Sequence, residues 1–223
     1  MSRITRLAIP LLALLLLRTS ALNAQLCAGL PSFAAGNTQL QAGVGLGNNA
    51  KSFGGGLAFG SQQGPYAGVM VGGTTYDRWD ATSFIVGADV GYQIPIGVTR
   101  RGHLCPEASV GFGFGPNDIG RTSADLSTRG FTLGARLGHA VPSSTTLQIV
   151  PTGAVRLGWQ ETELSDSADS REKDDTYGLF EFGVGFVFNS TFGVRPSVSL
   201  PVGLDGADPS FGIVLAFQLG RRR

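Results

Sequence analysis

The chain has 223 residues, 17 basic and 16 acidic, with a formal net charge of +1 and only 15% charged side chains. Without a basic excess it carries no electrostatic footprint for nucleic acid. With 34 glycines and no sustained stretch of helical period after the N-terminus, a helical protein is excluded and an all-β one expected.

In chain order, the first element is "MSRITRLAIPLLALLLLRTSALNAQ". Arg3 and Arg6 precede an apolar run from Leu7 to Leu17, and small residues follow up to Ala24. That order is a secretory signal peptide, and the run is too short to span a membrane as a helix. Residues 1–24 are therefore set apart as a leader, 25–38 form an N-terminal periplasmic arm, and 39–223 are the folded domain. The two cysteines, Cys27 and Cys105, are an even count in an exported chain, which favours a disulfide over a metal site, with free buried thiols as the alternative. A bridge would fasten the arm to the rim near the start of an outward-running strand, the arm itself folding into the lumen.

From Gln39 onward, apolar and small residues alternate, as side chains on a strand do. "QLQAGVGLG", "SFGGGLAFG", "TSFIVGADVGYQI", "HLCPEASVGFGFG", "TRGFTLGARLGHA", "TTLQIVPTGAVRLGWQ", "TYGLFEFGVGFVF", "TFGVRPSVSLPVG" and "SFGIVLAFQL" each place large apolar residues on one face. "PYAGVMVGGTTY" (65–76) is mixed on both faces, so the expected number is about ten strands, or eight if that segment is miscounted. Turns at one end, such as "SQQG", "VPSS" and "NST", are short. "PNDIGRTSADLS" and "TELSDSADSREKDD" at the other end are the longest connections. Short turns below and long loops above are the pattern of a closed, antiparallel, up-and-down transmembrane β-barrel.

The strands and the closing "SFGIVLAF" resemble the small outer-membrane barrels related to outer membrane protein A and its short, loop-rich relatives, over nearly the whole mature chain. The resemblance implies insertion by the barrel-assembly machinery, which would read Gly212, Leu215 and Phe217. The chain ends "QLGRRR" instead of on an aromatic residue. No peptidoglycan-binding domain is expected.

A soluble sandwich or lipocalin-like barrel would turn its bulky face inward and show water a charged one. Here the second face is glycine, serine and alanine, a poor water-facing surface but a good lining for a narrow lumen. The bulky face is therefore assigned to outer-membrane lipid and lipopolysaccharide. Asp89, Glu107 and Glu181 fall on the small-residue face, as do Arg136, Arg156 and Arg195. Three acids against three bases point to pairing in a lumen filled by side chains; an ion-conducting path is the alternative. Phe112, Phe114, Trp159, Tyr177, Phe180 and Phe188 are candidate girdle residues, or simply lipid-facing bulk. Arg221–Arg223 would meet lipid phosphates or be a solvated tail.

For chemistry the sequence offers little. His103 and His139, the only histidines, map to the periplasmic strand ends, far from extracellular substrates. "GVGLG" and "GFGFG" precede no helix and lack phosphate-cradling geometry. The stretch 161–175 holds seven carboxylates without the spacing of a calcium loop and reads as a solvated loop. No catalytic residue, metal site or cofactor is expected. The sequence thus predicts a non-enzymatic outer-membrane barrel with a structural or surface-interaction role. A small channel for ions or apolar solutes is the second reading, and a soluble periplasmic lipid-binding barrel the third.

Overall fold

The computed structural model describes residues 26–31, 38–61, 63–77, 81–97, 101–115, 118–119, 122–144, 146–166, 170–204 and 207–220. The leader 1–24 and Arg221–Arg223 lie outside the described residues. Ten long strands form the wall: β1 (Thr38–Leu46), β2 (Ala50–Gly60), β3 (Gly64–Tyr76), β4 (Ala81–Ile96), β5 (Gly102–Phe114), β6 (Thr122–His139), β7 (Leu147–Asp166), β8 (Ser170–Phe188), β9 (Phe192–Val202) and β10 (Ser210–Leu219). Each is antiparallel to its chain neighbour. β10 pairs with β1 from Thr38↔Leu219 to Leu46↔Phe211, which closes the sheet. Closure leaves no unpaired barrel edge, the condition for a sheet in lipid. The count is ten, and the mixed segment 65–76 is a full wall strand.

Alternation decides which way each side chain points. Phe211, Phe131 and Phe182 are 44%, 51% and 57% exposed on the outer face, where a soluble protein would bury them. Rings gather at both ends of this apolar band. Phe188, Phe192 and Phe217 neighbour one another at the end carrying β1's start and β10's finish, called the terminal end below. Phe131 and Trp159 meet toward the far end, with centroids 5.8 Å apart. Tyr177 departs from the girdle expectation. It lies on the inner-face parity of β8, and a Cβ on the opposed Gly158 would strike its ring.

The β8–β9 turn at the terminal end is tight. Asn189 and Ser190 both have positive φ, 49° and 58°, and Thr191 N–H donates to the Phe188 carbonyl at 3.0 Å. Two consecutive left-handed residues make the type I′ turn whose twist suits a two-residue hairpin.

The far end differs from the expected loops. Within the acidic stretch, 161–165 pair with 170–174 in a ladder that runs from Asp175↔Gln160 to Ser170↔Ser165, and the β6–β7 ladder continues to Ala124↔Asp166. Residues 170–177 of β8 run past the last β9 pair, Gly178↔Val202. β6, β7 and β8 thus rise above the rest of the wall as a three-stranded blade. Charged residues of both signs keep both faces of such an extension wet, while the backbone ladder carries on unbroken.

Candidate functional site

Two features occupy the lumen. At mid-height, seven consecutive strands each contribute one inward polar side chain: Tyr66 from β3, Asp89 from β4, Glu107 from β5, Arg136 from β6, Arg156 from β7, Glu181 from β8 and Arg195 from β9. Arg156 bridges the glutamates, Nε donating to Glu107 at 2.6 Å and Nη1 to Glu181 at 3.1 Å. Arg136 lies 3.6 Å from Glu107 and 3.7 Å from Glu181. Arg195 donates to Glu181, and the Tyr66 hydroxyl donates to Glu107 at 3.3 Å. Asp89 sits against Gly68 and makes no ion pair within 4.0 Å among the described residues. The contacting set is therefore two glutamates shared by three arginines, with Asp89 alongside.

The register explains how strands that are not neighbours touch. One ladder row reads Tyr66, Gly91, Glu107, Gly134, Arg156. Side chains alternate with glycines, so Tyr66 reaches Glu107 across β4, and Glu107 reaches Arg156 across β6. A Cβ at Gly134 would press on the backbone and stem of Arg156, and one at Gly91 would strike the Tyr66 ring. These glycines make the room for the contacts, which the charge pattern alone does not reveal. The signal was present as glycines at the inward parity between charged strands. In the next row Arg136 faces Glu181 across the small Ala154.

Below this layer, the turn Leu26–Pro31 is inside the barrel at the terminal end. Cys27 is bonded to Cys105 of β5, with Cα atoms 6.1 Å apart, well inside the range a bridge spans. Leu26 packs with Ala140, Val150 and Val187; Cys27 packs with Ala58, Tyr66 and Cys105. Gln39 Nε2 donates to the Pro31 carbonyl at 2.9 Å. The wall is cut to fit this turn. A Cβ at Gly138 would collide with the Leu26 carbonyl, one at Gly185 with Gly29, and one at Gly193 with Pro31.

The other sequence candidates are spread out. His103 is fully buried in the ring around the turn, and neither ring nitrogen has a hydrogen-bond partner among the described residues; His139 is exposed at the end of β6. Gly212 lies on the inner face of β10 beside Ser197, while Leu215 and Phe217 point outward. In the blade, Glu161, Glu172 and Asp174 bring carboxylate oxygens within 4.8 Å of one another. Arg129 already pairs with Glu161 there.

A closed antiparallel barrel with an exposed apolar band, rings at both ends of the band and polar side chains inside is a transmembrane β-barrel of the outer-membrane type. The N-terminal β-barrel domain of OprF from Pseudomonas aeruginosa is similar in structure over 81% of this chain and 95% of its own, at 12% identity and a TM-score of 0.38. Ail, the attachment invasion locus protein of Yersinia pestis, covers 81% and 93%, at 9% identity and 0.42. The translocator domain of the autotransporter NalP from Neisseria meningitidis covers 82% and 87%, at 14% identity and 0.44. No protein-family model matches the chain, and no curated protein matches it in sequence.

Proposed function

We propose that this chain is a non-enzymatic barrel of the bacterial outer membrane that acts at the cell surface through the blade of β6, β7 and β8. Exported by the leader 1–24, it is inserted by the assembly machinery through the β10 residues Gly212, Leu215 and Phe217. Its terminal end faces the periplasm and its blade the exterior. Outer-membrane lipid and lipopolysaccharide surround the band.

One observation carries this reading. On the outer face of the tall strands, apolar residues give way to charged ones within a single step of the pleat. Phe131 is followed upward by Arg129, and Trp159 by Glu161, and these two charges pair with each other. Along β8 the outward series Phe188, Phe182, Phe180 ends in Thr176, Asp174 and Glu172. Lipid stops at that level while the ladder continues, so the blade stands in water beyond the membrane. Building a paired sheet there, instead of a short turn, suits recognition by a rigid surface.

The test is a variant in which residues 162–174 are replaced by a short hairpin turn. The barrel should still form, seen as heat-modifiable gel mobility in the outer-membrane fraction. Attachment of expressing cells to a polyanion-coated or polycation-coated surface should fall to that of cells without the protein. Unchanged attachment to both surfaces overturns the blade reading. Recovery of the full-length protein in the soluble periplasmic fraction overturns the membrane reading.

A further inference from the structure

The two lumen layers differ in how completely they exclude water. Side chains of the charge cluster keep 9–14% of their surface accessible. Above them the inward-pointing Met70 and Ile85 are 49% and 41% exposed, so the far half of the lumen is a wet vestibule. The nearest atoms to a Cβ added at inward glycines there, such as Gly43, Gly54, Gly56 and Gly72, belong to adjacent strands.

At the terminal end the picture reverses. The bulkiest side chains below 2% exposure are Leu26, Cys27 and Pro31 of the turn and Gln39, Gln93, His103, Cys105 and Val150 of the surrounding wall. They form one dry layer, and the turn is its centre. Gly138, Gly185 and Gly193 leave the wall without side chains where the turn sits, so withdrawing the turn uncovers a gap instead of a packed core. Among the described residues, the side-chain hydrogen bond from Gln39 to Pro31 and the Cys27–Cys105 bond tie it to the wall, and Leu30 makes a backbone bridge.

We propose that Leu26–Pro31 is a stopper, that the Cys27–Cys105 bridge is the bolt holding it, and that the barrel is a latent channel for small hydrated ions, closed at one end only. This requires the charge cluster, carried on β3 to β9, to border the path without blocking it. Because both sulfur-bearing residues are 0–1% exposed, the bolt is set as the barrel forms, and the closed state is the resting state of the oxidised protein.

Planar-bilayer recording of the purified mature chain in potassium chloride tests this. Wild type should give a silent trace, the C27S/C105S variant intermittent openings, and a variant lacking residues 25–31 a sustained current. Heat-modifiable mobility establishes that each barrel has formed. If the shortened chain fails to form, Gly138→Leu in the C27S/C105S background takes its place, because a side chain there displaces Leu26 while every plug residue but Cys27 is kept. A silent trace from whichever unplugged variant folds makes the charge cluster the barrier and overturns the proposal. So does sustained current through oxidised wild type. The blade reading is independent of either result, since its readout is attachment and not current.

Discussion

The two ends of the lumen are built on opposite terms. At the terminal end a six-residue turn is packed dry against glycines of three strands and cross-linked to a fourth. At the far end inward residues stay wet, and the strands climb out of the band into a charged blade. The difference teaches where each kind of free energy resides. Burial and chain-entropy restriction are concentrated below; closing a loop of 78 residues stabilises by about 4 kcal/mol in the chain-entropy model. Above, the backbone ladder and screened surface charges do most of the holding. The charge cluster lies between the two and shares features of both, being paired like a core and bordered by water like a surface.

The sharpest way to break the comparison is to remove a carboxylate where the lumen is drying out. Glu181 accepts from Arg156 and Arg195 and lies near Arg136. Glu181→Ala leaves Arg195, which is 8% exposed, without its partner. Truncating one member of a buried pair costs about 3–5 kcal/mol, read as a lower urea midpoint for unfolding in micelles. Asp89→Asn breaks no ion pair and should move the midpoint less. A larger loss for Asp89 than for Glu181 would place the dry boundary higher than Met70 and Ile85 suggest.

A milder change tests the ladder row. Gly134→Ala puts a methyl group against Arg156 in a site with no room for it, and overpacking of this kind costs about 1–3 kcal/mol. The same variant should weaken the coupling between Glu107 and Arg156, measured by a double-mutant cycle in both backgrounds. Coupling that is unchanged by the methyl would mean that contact across β6 does not depend on the gap.

Much of this was legible in the sequence because period two is a strong signal wherever one face meets lipid. The outward Phe182 and Phe211 and the inward Glu107 and Arg136 follow from parity alone. The pairs that skip a strand were not legible, since they depend on register, which alternation does not set. The blade was hidden for a related reason. "SREKDD" has water on both faces, so nothing in it needs to alternate between apolar and polar, and charge density imitates a loop. By residue type Tyr177 belongs with the girdle, whereas its parity on β8 turns it inward. The stopper left only indirect traces: two cysteines in an exported chain, and the glycines Gly138, Gly185 and Gly193 at inward positions near strand ends.

The smallest effect belongs to the far rim of the short-walled side, where Lys51 Nζ lies 2.8 Å from Asp77 Oδ1 with the two side chains 63% and 48% exposed. The distance is as short as those in the charge cluster, yet water screens both partners and each loses side-chain freedom to hold the contact. Exposed pairs contribute about 0–1 kcal/mol, so Lys51→Met should shift the urea midpoint barely, and less still in high salt. Equal geometry with unequal consequence is what the comparison of the two ends requires. If Lys51→Met instead destabilised the barrel as much as Glu181→Ala, distance and not dryness would govern the worth of these charges, and the division between a dry end and a wet one would lose its energetic meaning.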